Sequence, residues 1–321
     1  MKFIWDIKNF PFRETGWGET IRMSRVLFAD LVLILLNVLW GYCFILIKQL
    51  LVEISPFYLL ALRFLIAGFI LLPFQIRTLK QISSKELLYY SGCGLALGLG
   101  FILQTKGMIT TDPGKSGVIT GTLVVFVPFI HYFWTGSRLA VHVILGTILT
   151  FVGLYFISLD GVENLTEINQ GDLFLLAGAM VYAFHVVIVD RTLSTLNSPK
   201  PILLALVQLF IVGFMSLIPA ISFDQFPHSM SSFVIGGVLF LAIFGSLIAY
   251  IVQMWAQKFS PAPHVGVILS TEAVFACIFA YFLFGEKFTL FMWIGAILVL
   301  TGILLTQGLL SFWKNSASKN S

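Results

Sequence analysis

Charge is what this chain has least of. Only 11% of its 321 residues are charged, while 58% are apolar; a soluble domain carries about a quarter charged residues. A water-soluble globule of this length cannot enclose so much apolar surface, so a soluble enzyme or binding module is excluded. Cysteine is nearly as scarce. Cys43, Cys93 and Cys277 all lie inside apolar runs, which excludes a disulfide framework and leaves them as small packing residues. A phosphate loop is missing too: GKS at 114–116 would need a glycine five positions before Gly114, where Ile109 stands. No nucleotide or other cofactor is expected. The first 25 residues lack the clean apolar core of a signal peptide, because Asp6, Glu14 and Glu19 interrupt them. Their aromatics (Phe3, Trp5, Phe10, Phe12, Trp17) suit an interfacial segment, and a start at Met23 is the alternative.

Long apolar runs are what the chain has in abundance. A hydrocarbon core about 30 Å thick takes roughly 20 residues of helix to cross. Ten such runs read at 26–50, 56–74, 86–107, 114–134, 140–159, 171–190, 201–222, 232–257, 262–284 and 289–311. They are continuously apolar, without the alternation of a barrel strand. The fold class is therefore all-α, a polytopic membrane protein of ten transmembrane helices, with the lipid bilayer as its main partner. Fourteen of the nineteen Lys and Arg fall on one side of these spans; only Lys48, Lys106, Lys115 and Lys287 fall on the other, and Arg63 lies within a span. The basic side is cytoplasmic, which places both termini inside and the acidic connection, 160–170, outside. The net charge of +4 thus follows topology and is no sign of nucleic-acid binding.

The chain also repeats itself. At an offset of 149 positions GVITGTLVVF from Gly117 falls on GVILSTEAVF from Gly266, and the match continues through Tyr132/Tyr281, Gly136/Gly285, Gly146/Gly295 and Gly153/Gly302. Gln104 falls on Gln253, and LLAL at 59–62 matches LLAL at 203–206 with a slightly different offset. The units are 26–159 and 171–311, with 1–25 and 312–321 as cytoplasmic ends. Each holds five spans, an odd number, so the second enters the membrane from the opposite side. Inverted five-helix repeats are a signature of secondary transporters, which hold their substrate near the midplane between the copies.

Three stretches carry a resemblance: WGYCFILIK at 40–48 with ALRF at 61–64, TTDPGKSGVITGTLVVFVPF at the fourth span, and SPAPHVGVILSTEAVFACIFAYFLFGEKFTL at 260–290 followed by GAILVLTGILL. Together they resemble the EamA family of the drug/metabolite transporter superfamily over nearly all of 26–311. The resemblance implies a ten-helix carrier of small organic metabolites in a bacterial inner membrane. The chain departs from the family pattern at Glu272-Ala273, where the family has Glu-Pro, so the proline's helix distortion is no longer implied there.

Polar groups at membrane depth are costly and mark function or helix pairing. Glu272 lies about 15 Å into the ninth span at 1.5 Å per residue; it reads as a contact for substrate or for a coupled proton, or as a structural hydrogen bond. Arg63 would bind an anionic group, pair with Glu272 or reach the surface along its own stem. Asp30 and Lys106, nearer span ends, are expected to snorkel. On the first helix Asn37, Gly41, Phe44 and Lys48 form one stripe beside Trp40, and on the sixth Gly178, Tyr182 and His185 form another; both are expected to line a central cavity. Gln104 and Gln253 are expected near its opposite ends, as gates or as interhelical bonds. Gly94/Gly98 and Gly117/Gly121 read as close-packing pairs. The expected substrate-binding set is Asn37, Trp40, Arg63, Gln104, Tyr182, His185, Gln253 and Glu272. A passive channel shares this topology, and a more remote reading takes GKSG at 114–117 with His185 as an intramembrane serine protease using Ser116. Oligomeric state, direction and coupling ion have no signature in the sequence.

Overall fold

The computed structural model describes residues 18–136, 139–160, 169–226, 229–285 and 289–306. Among them every regular element is helical. The first copy comprises α1 (Gly18–Leu50), α2 (Pro56–Leu79), α3 (Ser84–Gly107), α4 (Pro113–Gly121), α5 (Leu123–Thr135) and α6 (Val141–Asp160). The second comprises α7 (Gln170–Thr195), α8 (Pro201–Phe223), α9 (Ser232–Phe240), a π-helical segment (Leu241–Ile248), α10 (Ala249–Ala256), α11 (Ala262–Leu269), α12 (Thr271–Phe284) and α13 (Leu290–Thr306). Three spans are composite: α4–α5, α9–π–α10 and α11–α12. Eight spans are long and apolar enough to cross a bilayer, and α6 and α13 supply two shorter apolar helices. Residues 161–168 of the acidic connection, the segment 1–17 and the tail from 307 lie outside the described residues.

Local chemistry sets the helix ends. Ser83 and Glu86 form a capping box at α3, and Asn169 and Asp172 form one at α7. Pro56, Pro113 and Pro201 stand at the first turns of α2, α4 and α8, where their missing N–H costs nothing. Gly136 and Gly285, equivalent at the offset of 149, end α5 and α12 with φ of 65° and 70°, a left-handed conformation that glycine adopts without strain. Large apolar side chains face outward over the whole bundle. Phe133 and Phe223 are 81% and 82% exposed, an arrangement that only lipid makes favourable.

The two copies meet about a pseudo-two-fold axis. Where α6 crosses α13, a methyl group on Gly146 would lie 2.6 Å from the Gly302 carbonyl oxygen, and one on Gly153 would lie 2.7 Å from that of Gly295. Early positions on one helix thus meet late positions on the other, so the helices run antiparallel. Gly295 and Gly302 are themselves the equivalents of Gly146 and Gly153, so the crossing is its own image when the copies are exchanged. The same exchange relates Gly117, packed on Ala276, to Gly266, packed on Val127. Without side chains these backbones approach closely, which is how helices associate where the surrounding lipid is as apolar as they are. Gly94 and Gly98 pack on Ile211 and Met215 of α8 in the same way.

The fourth and ninth spans break at equivalent points. Thr122 Oγ1 donates to the Ile119 carbonyl at 2.6 Å, and Thr271 Oγ1 to the Ile268 carbonyl at 2.7 Å. A hydroxyl bonded back into its own turn competes with the helix ladder and bends it. The ninth span therefore breaks although Ala273 replaces the family's proline. Asn37 Nδ2 adds bonds to the Ile268 carbonyl (2.7 Å) and to Thr271 Oγ1 (2.9 Å), which tie α1 to this break.

Candidate functional site

A cavity lined by residues of both copies lies between them. Its lining is paired by the repeat. Phe101/Tyr250, Gln104/Gln253, Thr120/Leu269 and Leu123/Glu272 all line it, and each pair stands 149 positions apart. Trp40/Tyr182, Cys43/His185 and Phe44/Val186 line it too, each pair 142 apart. Fourteen of the seventeen lining residues thus exchange with one another, so the pseudo-two-fold axis passes through the cavity. The ring contacts agree: Trp40 packs on Tyr250 at 5.8 Å between centroids, and Tyr182 on Phe101 at 5.5 Å.

Polarity breaks this symmetry. Arg63 on α2 is buried; its Nε donates to Ser246 Oγ at 2.9 Å and Nη2 to the Gly245 carbonyl at 3.2 Å, while Nη1 has no hydrogen-bond partner among the described residues. The guanidinium carbon lies 4.9 Å from the Phe64 ring centroid and 5.2 Å from that of Phe101, contacts that stabilise a desolvated cation. The Trp40 indole also donates to the Gly245 carbonyl, at 3.2 Å. Gly245 and Ser246 sit in the π-helical segment, where the widened turn leaves carbonyls outside the α-helical ladder. The sequence left Arg63 to bind an anionic group, to pair with Glu272 or to reach the surface; it neither pairs with Glu272 nor reaches the surface, and the π-helical turn supplies its acceptors. Glu272 faces the same cavity, and no described residue hydrogen-bonds its carboxyl or pairs with it within 4.0 Å. The structural bond weighed for it is thus not made.

The remaining expected residues fall into place around these two. Gln104 accepts from the Tyr182 hydroxyl at 3.0 Å and donates to Thr120 at 3.3 Å. Gln253, buried at the equivalent position, has an unpartnered Oε1. Both glutamines line the one cavity. His185 Nε2 lies 2.6 Å from Gln208 Oε1, and Gln208 in turn contacts Met254 Sδ at 3.1 Å. Seven of the eight expected residues line the cavity; Asn37 does not, since it holds the α11–α12 break. Two neighbours also differ from expectation. Asp30 is buried and accepts a hydrogen bond from Ser260, where snorkelling was expected. Lys48 caps the end of α3 through the carbonyls of Met108, Ile109 and Thr111 at 2.9–3.1 Å, away from the lining. Lys106 is exposed over Phe57 and Phe174, as a snorkelling residue would be. Ser116 is buried without a hydrogen-bond partner among the described residues, and His185 is bonded to Gln208, so the two are not brought together as nucleophile and base. Among the described residues no group of three His, Cys, Asp or Glu side chains is placed to hold a metal ion.

Phe101 and Tyr250 escaped sequence reasoning. Each stands three positions before a cavity glutamine, on the same helical face, and that spacing was the available signal.

The model of the EamA-like transporter family matches twice, over residues 27–159 and 169–307. A protein of Archaeoglobus fulgidus, named an uncharacterized transporter, is 31% identical over 95% of this chain and 92% of its own length. The Bacillus subtilis protein named uncharacterized transporter YoaV is 24% identical over 85% of this chain and 94% of its own. A crystal structure superposes with a TM-score of 0.69 at 17% identity, covering 88% of this chain and 96% of that one, a likeness of fold.

Proposed function

The chain belongs to the EamA-like transporter family, a multi-pass membrane transporter, and from that premise we propose that it is a secondary carrier, working as an exporter, of small organic metabolites, amino acids or drug-like compounds. One observation carries the reading: a cavity between the copies whose lining the pseudo-two-fold axis exchanges almost completely. Rocking about that axis would expose the same residues to one side and then to the other. The free Nη1 of Arg63 offers a donor to an anionic group of the substrate. Glu272 offers an acceptor to a cationic group or a carrier for a coupled proton, and the aromatic walls take up apolar substituents.

In proteoliposomes loaded with a candidate metabolite, a carrier gives saturable uptake of labelled substrate and trans-stimulated counterflow. Flux that rises linearly with concentration and ignores substrate on the far side would instead identify a passive channel.

Similarity to bacterial and archaeal transporters supports a location in a bacterial inner membrane, and the distribution of Lys and Arg supports both termini being cytoplasmic. A green fluorescent protein fused at the C-terminus should then fluoresce. High activity from a C-terminal alkaline phosphatase fusion would reverse the orientation.

A further inference from the structure

The offset of 142 that relates α1 to α7 in the cavity also relates residues at the two ends of these helices. Asp30 falls on Asp172 and Lys48 on Asp190. On each helix the two residues are eighteen positions apart, about 27 Å at 1.5 Å per residue, close to the thickness of the hydrocarbon core. Two short connections lie at these ends: 107–113 between α3 and α4, and 256–262 between α10 and α11.

Each connection is held by one residue of α1 and one of α7. At one end Thr111 Oγ1 donates to Asp172 Oδ1 at 2.9 Å, while Lys48 Nζ reaches the Met108, Ile109 and Thr111 carbonyls. At the other end Ser260 Oγ donates to Asp30 Oδ1, and the Asp190 carboxylate faces the Ala262 backbone N–H. Gln257 Nε2 adds a bond to the Val186 carbonyl at 3.4 Å. Thr111 and Ser260 stand 149 positions apart, so a hydroxyl donating to an aspartate recurs at both ends as one motif and its image. The images are unequal. Lys115 forms an ion pair with Asp172 at 2.7 Å, whereas its equivalent, His264, has an unpartnered Nδ1 among the described residues.

We propose that Thr111–Asp172 and Ser260–Asp30 are the two latches of the transport cycle, each releasing its own end of the cavity while the other stays bonded. The proposal rests on the carrier reading above and deepens it. Their placement supports this role: each joins a connection leading into a broken span, α4–α5 or α11–α12, to the opposite copy's first helix. Releasing the hydroxyl–aspartate bond therefore loosens a half-span from the opposite copy's first helix without disturbing the glycine crossing of α6 and α13. The extra ion pair makes the 107–113 end the firmer one, so the unliganded protein opens first at the 256–262 end.

The test uses side-specific labelling in oriented vesicles. With the three native cysteines replaced by serine, Leu123→Cys provides one thiol in the cavity lining, and a membrane-impermeant methanethiosulfonate is applied from either side. In this parent, labelling is expected to be faster from the 256–262 end. Thr111→Val should raise labelling from the 107–113 end about fivefold, the worth of one buried hydrogen bond, and lower it from the other. Ser260→Ala should do the reverse, the double variant should return the ratio towards the parent, and Thr111→Ser or Ser260→Thr should leave it unchanged. Lys115→Met gives a second route to the first result if Thr111→Val does not fold. Parental rates in the folded single variants, or equal rises from both sides, would overturn the proposal. Substrate counterflow, measured in vesicles of the wild type and of the Thr111 and Ser260 variants made with the native cysteines and Leu123 in place, separates the two readings. Persisting counterflow with unshifted labelling removes the latches alone, while shifted labelling without counterflow in any variant removes the carrier reading and with it their place in a transport cycle.

Discussion

Proteoliposomes carrying Arg63→Ala are expected to transport at least tenfold more slowly than wild type while the protein stays monodisperse in detergent. Charge-assisted hydrogen bonds contribute about 1.5–3 kcal/mol each, and this guanidinium makes one to Ser246 and one to Gly245 and points a third nitrogen at the cavity. Removing it takes away the proposed substrate contact and two of the bonds to the π-helical turn, although Trp40 still donates to the Gly245 carbonyl. Arg63→Lys separates these effects. Lysine keeps the charge but lacks the planar fork, so it should recover part of the maximal rate and leave a raised half-saturation concentration. An aggregated Arg63→Ala protein would assign the residue to structure, and normal transport would remove it from the site.

Glu272→Gln is expected to abolish uphill transport driven by a pH gradient and to flatten the pH dependence of flux, while exchange of substrate for substrate continues. The carboxyl faces the cavity and no described residue hydrogen-bonds or pairs with it, so a proton or a substrate cation has no protein group to displace. Glutamine keeps the shape and the hydrogen-bonding capacity but cannot release a proton, which isolates titration from packing. The equivalent position in the first copy is Leu123, so the twofold scaffold itself does not call for an acid here. A variant that retains the wild-type pH profile would rule out coupling through this residue. Failure of exchange as well as uphill transport would make Glu272 a substrate contact first.

Most of the architecture was legible in the residues. Apolar runs located the ten spans within a few positions, because a bilayer imposes a length on each helix. Shared glycines and threonines at an offset of 149 located the repeat, since these are the residues at which backbones touch and spans break. The register between α1 and α7 was not legible. Their equivalence rests on position around the axis, and pairs such as Trp40/Tyr182 and Cys43/His185 share no chemistry that alignment would notice; Asp30/Asp172 is the one polar identity, beside leucine matches (Leu31/Leu173, Leu33/Leu175) that any two apolar helices make. Asn37 was misplaced for a related reason. The stripe Asn37, Gly41, Phe44, Lys48 is one face of α1, but the cavity takes Trp40, Cys43, Phe44 and Ile47, the neighbouring face. A small residue in a membrane helix marks a close approach as readily as a lumen, and Gly41 packs directly on the Phe275–Ala276 backbone. Arg63 could be singled out by its cost in lipid, whereas its acceptors could not, because nothing in LAIFGSLI distinguishes a π-helical turn from an α-helical one.

That turn has a consequence for kinetics. Its counterpart in the first copy, residues 92–99 of α3, is ordinary α-helix, and the counterpart of the Arg63 position, at the LLAL offset of 144, is Val207. A machine made of two identical halves would present equal half-saturation concentrations to the two sides of the membrane, because its two end states would be mirror images of equal energy. Here the contacts of Arg63 with Gly245 and Ser246 have no counterpart in the first copy, so symmetry does not make the two end states equal in energy. Microscopic reversibility then ties the ratio of the two half-saturation concentrations to the energy gap between the empty end states. A gap of about 1.4 kcal/mol corresponds to a tenfold ratio. A single widened helical turn would thus make one membrane face the high-affinity side, with no gradient applied.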